Sequence, residues 1–433
     1  RRARRIWRRA PGMGLLALAL MGARSLAGAR SAEDTARGSG QSFVIRHARV
    51  FDGRRSAMGD DVWVEGGTIR AVGKGLPTAP GAVEIDGTSD TLLPGLIDSH
   101  THDWGDSPKQ ALQFGVTTEL NQGAPLQFLA GLKKAEAEGT AFDSADVLSA
   151  GNVVTPPKGH GTQFGLPVPT LAGPRDAQAF VDARIAEGSA YIKIILEDGR
   201  SCHREFARLS DDELAATVAA AHKRGKLAIV HVSTQEDARI AIAAGADGIA
   251  HLFADTPPRA DVVSLMRRRH AFAITTLTVI QSALGTVSGP LLLADQRVAA
   301  FLSPDAQAQM RKAIPFRCDG EMANAFAAVR ALRDAGVPIL AGTDAPAPGS
   351  SNGASLHGEL ELLARAGLSP SEALAAATSV PAKTFHLDDR GRIARGLRAD
   401  LVLVHGDPTT DITATRDIVT VWKAGVPVQR RVP

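Results

Sequence analysis

Short apolar runs alternate with amphipathic segments along most of the chain, between residues 95 and 385. The amphipathic segments are rich in Ala, Leu, Glu and Arg. Three of them, Asp211–Arg224, Gln235–Ala244 and Gly320–Ala335, are each followed by a glycine that would end a helix. This alternation predicts a (β/α)8 barrel of the TIM type, with a doubly wound open sheet as the alternative. The eight predicted strands are Leu96–His102, Val116–Leu120, Val147–Val153, Tyr191–Leu196, Leu227–Val232, Gly248–Phe253, Phe272–Val279 and Pro338–Ala345.

Shorter β-type runs flank this region on both sides. Three precede it and two follow it, and three short strands do not make a stable domain by themselves. We therefore expect residues 42–94 and 386–433 to fold together into one small β-domain beside a barrel over residues 95–385. The flanking runs are Phe43–Arg46, Val62–Glu65, Val83–Ile85, Ala399–Val404 and Ile418–Trp422.

The first 29 residues have the pattern of a secretory signal peptide. Six arginines among the first nine residues precede the apolar run Met13–Ala23, which is shorter than the roughly 20 residues that span a bilayer. Small residues of a cleavage site follow at 27–29. We predict a signal peptide over 1–29, a linker over 30–41 and export to the periplasm or the exterior. A disordered basic tail is the alternative, and the paired arginines leave the twin-arginine route open.

The positive charge of the chain belongs to this segment. Residues 1–29 contain seven arginines and no acidic residue, so their removal changes the formal net charge from +3 to −4. With 44% hydrophobic and 22% charged residues, the chain has the composition of a soluble globular protein. We expect no nucleic-acid partner, no membrane association of the mature form, and a homo-oligomer.

The two cysteines, Cys202 and Cys318, could pair in an oxidising compartment. A single pair at long spacing does not decide this, and the sequence contains neither a CxxC pattern nor a cysteine-based zinc pattern.

Six residues able to bind a metal occur in or at the ends of the predicted strands. Two histidines at i and i+2 of the first strand share one face. A lysine inside the apolar fourth strand is costly unless its amine is modified, neutralised or bound. Each residue has an ordinary explanation alone, but barrel strands end at one common mouth, so together they predict a metal site. The six residues are His100, His102, Lys193, His231, His251 and Asp344.

The order His-x-His, Lys, His, His, Asp resembles that of the amidohydrolase superfamily, in its binuclear branch, over nearly the whole mature chain. The opening Pro94–His100 and the late Gly396–Val402 are also typical of it. The resemblance implies a TIM-like barrel beside a split β-sandwich built from both termini. Among members, it is nearest to the imidazolonepropionase-like and Xaa-Pro or acyl-amino-acid dipeptidase groups. Imidazolonepropionase itself lacks the bridging lysine, so Lys193 argues against that activity.

The resemblance also implies a set of ligands and a reaction. Lys193 would be N-carboxylated and would bridge two divalent ions, most often zinc. His100, His102 and Asp344 would hold the more buried ion, and His231 and His251 the more exposed one. The implied reaction is hydrolysis of an amide bond in a small molecule, such as a dipeptide or an N-acyl amino acid. A metal-bridging hydroxide would attack, with Asp344 as general base and then general acid. Lactone or organophosphate ester hydrolysis, and an inactive scaffold without metal, are the alternatives.

Further candidates are weaker. His160, in a Gly-His-Gly loop after the third strand, resembles a segment of dipeptidase-like members that contacts the substrate or polarises its carbonyl; an exposed loop histidine is the alternative. Glu119 and Tyr191 are weaker candidates for substrate binding. His222 and His357 are expected to belong to the helical scaffold. The long segment Gln281–Asp319 is expected to be a lid or binding loop, with Leu291, Leu292, Phe301 and Phe316 as a possible apolar wall or as ordinary packing.

Overall fold

The computed structural model describes residues 41–139, 141–165 and 167–433, and sixteen strands occur in these ranges. The predicted signal peptide and all of the predicted linker except Gln41 lie outside them. The strands are β1 Phe43–Phe51, β2 Ser56–Glu65, β3 Thr68–Gly73, β4 Val83–Asp86, β5 Asp90–Pro94, β6 Leu96–Thr101, β7 Val116–Asn121, β8 Asp146–Ser149, β9 Ile192–Ile195, β10 Ala228–His231, β11 Gly248–Ala250, β12 Phe272–Ile274, β13 Ile339–Leu340, β14 Leu401–His405, β15 Ile418–Lys423 and β16 Val426–Pro427.

Helices connect most of the strands from β6 to β14. The α-helices in the described ranges are α1 Ser107–Gln113, α2 Leu126–Ala137, α3 Ala177–Glu187, α4 Asp211–Lys223, α5 Gln235–Ala243, α6 Ala260–Arg268, α7 Leu277–Ala283, α8 Gly289–Leu293, α9 Gln296–Ala299, α10 Pro304–Arg311, α11 Met322–Asp334, α12 Ala354–Ala366, α13 Pro370–Ala376 and α14 Ser379–Thr384. Short 3-10 turns occur at Ala141–Asp143, Pro174–Asp176, Arg200–Cys202 and Ile412–Arg416.

Strands from both flanks of the barrel region share one eight-stranded sheet, with the order β16-β15-β14-β5-β1-β2-β3 and with β4 paired to β1. The central contact is the antiparallel pair of β5 and β14, which places Leu403 opposite Leu92. Both leucines are buried with Trp422 in a separate apolar cluster. Strands from the two flanks therefore pair in one sheet, while the separate small β-domain and its sandwich of two layers stay predictions.

The eight strands from β6 to β13 are all parallel to their neighbours, but they form two sheets and not one closed ladder. One sheet has the order β6-β7-β8, and the other has the order β13-β12-β11-β10-β9. Two isolated parallel bridges, Thr101 to Ala345 and Val154 to Ile194, lie where the sheets adjoin. The strand-and-helix alternation is thus confirmed as a mixed α/β fold, whereas continuous closure of the barrel is not seen.

Two predicted elements differ from the observed ones. The run predicted as the strand Phe272–Val279 is strand only to Ile274 and becomes helix α7 at Leu277. The reason lies 82 residues away, where the buried carboxylate of Glu359 accepts hydrogen bonds from the Leu277 and Thr278 backbone N–H groups. The segment predicted as one long loop, Gln281–Asp319, contains the short helices α8, α9 and α10.

Two apolar layers lie on either side of the eight parallel strands. The outer layer packs strands against helices and includes Ile192 and Ile194 of β9. The inner layer contains Ile229, Ile274 and Leu340, together with residues of α14. Ile229 precedes the candidate ligand His231, and Leu340 precedes Asp344, so the inner layer forms an apolar floor below the mouth.

A disulfide joins Cys202 to Cys318. It connects the loop after β9 to the end of the segment between α7 and α11, so the pairing that the sequence left open is present. No helix in the described ranges has the length and apolar content needed to cross a membrane.

Candidate metal centre

Lys193 lies inside the ring of strands, not against the outer helices. Its neighbours Ile192 and Ile194 pack in the outer layer, and alternation along a strand therefore turns Lys193 inward. The residue is 2% exposed, and its Nζ has no hydrogen-bond partner among the described residues. A buried amine without a partner is costly, which agrees with a lysine that is modified or bound to a ligand in the functional protein.

Two histidines and an aspartate converge beside this lysine. The Nε2 atoms of His100 and His102 each lie 3.1 Å from Oδ1 of Asp344. Nδ1 of His102 lies 2.9 Å from the carbonyl oxygen of Gly123, to which it donates when it carries the proton. That tautomer leaves Nε2 with a lone pair for a metal ion. The predicted ligands of the more buried ion are therefore in contact with one another.

His251 belongs to the same cluster. Its ligand atom lies within 4.8 Å of those of His100 and Asp344, and its ring centroid is 4.6 Å from that of His100. Nδ1 of His251 lies 2.8 Å from Oγ1 of Thr276, which fixes the ring orientation.

The backbone is strained at three positions of this mouth. His251, Thr276 and Asp344 have φ values of 69°, 46° and 61°, a region that side chains other than glycine rarely occupy. Such conformations cost about 1–3 kcal/mol each and are concentrated at functional sites. The strain therefore supports a functional role for this end of the strands.

His231 lies in a second group, with His160 and Glu197. Oε2 of Glu197 is 3.1 Å from Nε2 of His231 and also contacts Nδ1 of His160. The three ligand atoms lie within 4.8 Å of one another. The two groups adjoin, since the rings of His231 and His251 are 4.5 Å apart.

The electrostatics keep most of these imidazoles neutral, which is the form that binds metal ions. Burial, and then the charge of Lys193, lowers the pKa of His100 to about 3. Burial and the neighbouring histidines lower the pKa of His251 well below its usual value, and burial lowers that of His231. His102 differs: burial lowers its pKa, but the hydrogen bond and charge of Asp344 outweigh burial and raise it.

The acidic and basic members are shifted too. Burial lowers the pKa of Lys193 to about 7, against the opposing charge of Asp344. Burial raises the pKa of Asp344, but His100 and His102 outweigh it and hold that pKa well below the ordinary range. The aspartate is therefore an anion among mostly neutral nitrogen donors, a set that suits zinc or a similar divalent ion.

The residues thus fit the metal that the family resemblance implies. Among the described atoms, Nζ of Lys193 and Nδ1 of His100 are buried without partners. The remaining donors are imidazole nitrogens and carboxylate oxygens that face one another at close range. All six predicted ligands lie in or beside this cluster, while their binding of an ion stays a prediction.

The two weaker substrate-binding candidates are not exposed to a substrate, and the structure corrects both. The hydroxyl of Tyr191 donates to the carbonyl oxygens of Asn121 and Leu148, and its ring packs on Phe385 in the apolar floor. Glu119 is fully buried and accepts a hydrogen bond from Asn352. Both side chains belong to the scaffold, because their polar groups are buried in the protein interior and do not reach the mouth of the site.

Of the other predicted residues, His160 lies at the mouth, whereas His357 and Leu292 are packed in the interior. His160 is partly exposed and contacts Glu197, so its placement at the mouth is consistent with a role towards substrate. His357 lies inside α12 and hydrogen-bonds with Thr415 and the carbonyl of Phe114, as expected of scaffold. Of the proposed apolar wall, Leu292 is packed in a cluster with helices α8 to α10.

Sequence reasoning missed residues that hold the ligands in place. Glu197 and Thr276 contact predicted ligands directly. Behind them, Asp98 accepts hydrogen bonds from the His100 and Thr343 backbone N–H groups and from the Thr343 hydroxyl. Asp98 lies in the motif that carries the resemblance and could have been noted for that reason. Glu197 lies in an ordinary-looking Glu-Asp-Gly turn and gave no such signal.

Comparison with known proteins identifies a family for this chain. Residues 179–428, more than half of the chain, match the model of the amidohydrolase family. The chain belongs to the amidohydrolase family, and it is accordingly a hydrolase in the broad sense.

The relatives cover most of the chain at low identity. Ochratoxinase of Aspergillus niger is 26% identical over 386 residues, covering 77% of this chain and 75% of its own. The structure of a Bifidobacterium longum protein assigned as a prolidase has a TM-score of 0.72 and 26% identity, covering 91% of this chain and 96% of that chain. A Xaa-Pro dipeptidase structure with bound methionine has a TM-score of 0.71 at 22% identity, covering 90% of this chain and 100% of that chain, which supports the fold alone.

Proposed function

We propose that this protein is a metal-dependent hydrolase that cleaves the amide bond of a small substrate such as a dipeptide or an N-acyl amino acid. The observation that carries the proposal is the contact of two imidazole nitrogens with one carboxylate oxygen of Asp344, beside an unpartnered buried lysine. The similarity to ochratoxinase and to proteins named as prolidases supports an amide substrate. The proposal includes a closed eight-stranded barrel, a homo-oligomer and export, the last supported by the disulfide.

The metal ions would be held by the six predicted ligands, with Lys193 N-carboxylated. When bound, they would supply Lewis acidity and a water molecule that is acidic near neutral pH. Asp344 is the base best placed to take a proton, because it is an anion at the centre of the cluster and 18% of its side chain is exposed. The same carboxyl group, once protonated, can donate to the leaving nitrogen, as amide cleavage requires.

The mouth of the site offers a cation for a substrate carboxylate. The ring of Phe206 stacks on His160 with centroids 5.1 Å apart. The guanidinium carbon of Arg204 lies 4.8 Å from the centroid of Phe206 and 5.0 Å from that of Phe316. Arg204 has no ion pair with any described residue. A guanidinium held between two rings, with its donors unused, suits bidentate binding of a carboxylate, so we include a free carboxylate in the substrate class.

The test is a panel of dipeptides, N-acyl amino acids, lactones and organophosphate esters, assayed with the zinc-loaded protein and its Asp344→Asn variant. We expect amide cleavage by the unaltered protein and loss of at least about 100-fold in kcat by the variant, in the range of general acid–base effects. Cleavage of lactones or phosphate esters alone would contradict the amide assignment. Less than about one equivalent of transition metal in protein purified without chelator would favour an inactive scaffold.

A further inference from the structure

The loop after β9 and the segment before α11 lie side by side near the mouth of the site. The disulfide between Cys202 and Cys318 joins them covalently. Beside it, the Asp319 backbone N–H donates a 2.7 Å hydrogen bond to the carbonyl oxygen of Ser201. An ion pair of 3.2 Å between His203 and Asp319 also connects the two segments, but both side chains are largely exposed, so it adds little.

The guanidinium of Arg204 lies between one aromatic ring from each of these segments. Its carbon is 4.8 Å from the centroid of Phe206, in the loop after β9, and 5.0 Å from that of Phe316, in the segment before α11. Arg204 follows Cys202 by two positions, and Phe316 precedes Cys318 by two positions. The disulfide therefore keeps the two rings close enough to hold one guanidinium.

The two rings are held in place by different contacts. The Phe206 backbone N–H donates a 2.8 Å hydrogen bond to the carbonyl oxygen of Asp198, within its own loop. By contrast, no backbone N–H of residues 314–317 donates to a described backbone carbonyl, and Phe316 packs in none of the apolar clusters of the described chain. Loss of the disulfide should therefore release Phe316 and leave Phe206 in place.

We infer that the Cys202–Cys318 disulfide is a positioning element for the substrate carboxylate, an inference that rests on the proposed function and on Arg204 as the carboxylate-binding group. The disulfide keeps Phe316 against the guanidinium, so Arg204 is ordered before the substrate binds. Without the disulfide, this long side chain must be ordered on binding, which should weaken binding of a carboxylate about three- to tenfold.

The test compares acetate release from N-acetyl-leucine and from its primary amide by the zinc-loaded full chain. The measured quantity is the ratio of KM for the acid to KM for the amide. In the double variant Cys202→Ser, Cys318→Ser we expect this ratio to rise about three- to tenfold, with kcat unchanged within about twofold. A disulfide that only stabilises the fold would affect both compounds alike and leave the ratio unchanged.

The same cysteine replacements in an Arg204→Met background complete a double-mutant cycle. There we expect them to change the ratio by less than about 1.5-fold, because the disulfide acts through Arg204. A ratio raised by Arg204→Met but not by the cysteine variant would overturn the inference and leave the proposed function standing, as would equal effects in both backgrounds. A ratio unaffected by Arg204→Met, or an acid that binds no more tightly than the amide, would overturn carboxylate recognition and the inference together.

Two further variants test the ring itself. Phe316→Ala should reproduce the change in the ratio seen with the cysteine variant, and an unchanged ratio would contradict the inference. Lys312→Gln is the control, since Lys312 is exposed in the same segment and no ion pair of it is seen in the described ranges. Circular dichroism checks that each variant is folded.

The outcome for the inference can be separated from that for the proposed function. If neither compound is cleaved, the proposed amide hydrolysis fails for this pair. Calorimetric titration of the zinc-loaded protein with the same two compounds then gives the ratio of their Kd values, and the same criteria decide the role of the disulfide.

Discussion

Replacement of Lys193 by methionine should stabilise the metal-free protein although it destroys the site. The pKa of Lys193 is lowered by burial to about 7, against 10.5 for a free lysine, so the protonated amine is destabilised in the folded chain by about 4–5 kcal/mol. Below about pH 7 the full penalty is present. Between pH 7 and 10.5 the unfolded chain binds more protons than the folded chain, so the free energy of unfolding rises with pH.

Methionine fills a similar volume without a charge, so we expect Lys193→Met to be more stable at pH 7 by about 2–4 kcal/mol. The advantage should shrink towards pH 10. Urea unfolding followed by tryptophan fluorescence, in EDTA and in buffer free of bicarbonate, measures both values. With zinc the order should reverse, because only the unaltered protein gains the free energy of binding.

Lys423→Met is the matched control. Lys423 is 5% exposed but its Nζ lies 2.5 Å from Asp146, so its removal takes away a partner of a partly buried carboxylate. We expect this variant to be destabilised at both pH values. If Lys193→Met were no more stable than the unaltered protein at pH 7 and at pH 10, this would refute the claim that the buried, unpartnered amine destabilises the metal-free protein.

Three further outcomes are expected. The double variant Cys202→Ser, Cys318→Ser should lose about 2–5 kcal/mol of stability in urea, since the disulfide closes a loop over a sequence separation of 116; an unchanged midpoint would contradict this. Thr276→Val should weaken zinc binding by about 10–100-fold in a chelator competition, because it removes the partner of Nδ1 of His251, and Thr276→Ser should restore it. Arg204→Met should raise KM by at least about tenfold for substrates with a free carboxylate while leaving their amidated analogues unchanged; an equal effect on both would contradict carboxylate recognition.

The sequence was sufficient for residues whose placement in the cluster follows from strand position. His100, His102, His231, His251 and Asp344 could be found because each ends an apolar run, and parallel strands in a barrel end at one mouth. Lys193 could be found because a charge inside such a run is costly.

The remaining features depend on contacts between distant segments. The Thr-Thr-Leu-Thr-Val run after Ile274 has β-branched residues typical of strands, yet Glu359 supplies hydrogen-bond acceptors that begin a helix at Leu277. Glu197 is equally unremarkable in sequence, and only its contacts with His160 and His231 place it in the site. Strand β5 was not among the predicted runs, and the flanks were expected to fold together without named partners, since alternation does not name a partner.

Hydrogen bonds within the chain help to position the ligand cluster. Asp98 fixes the backbone of His100 and Thr343, and the three positive φ values at the mouth are held in place by the packing around them. The apolar floor beneath the cluster stabilises the fold through buried apolar surface. The mouth reduces stability, because it contains buried charges, crowded lone pairs and strained backbone. A divalent cation placed among these donors removes the crowding and binds only the folded chain. Metal binding must therefore raise the free energy of unfolding, and removal of the metal must lower it.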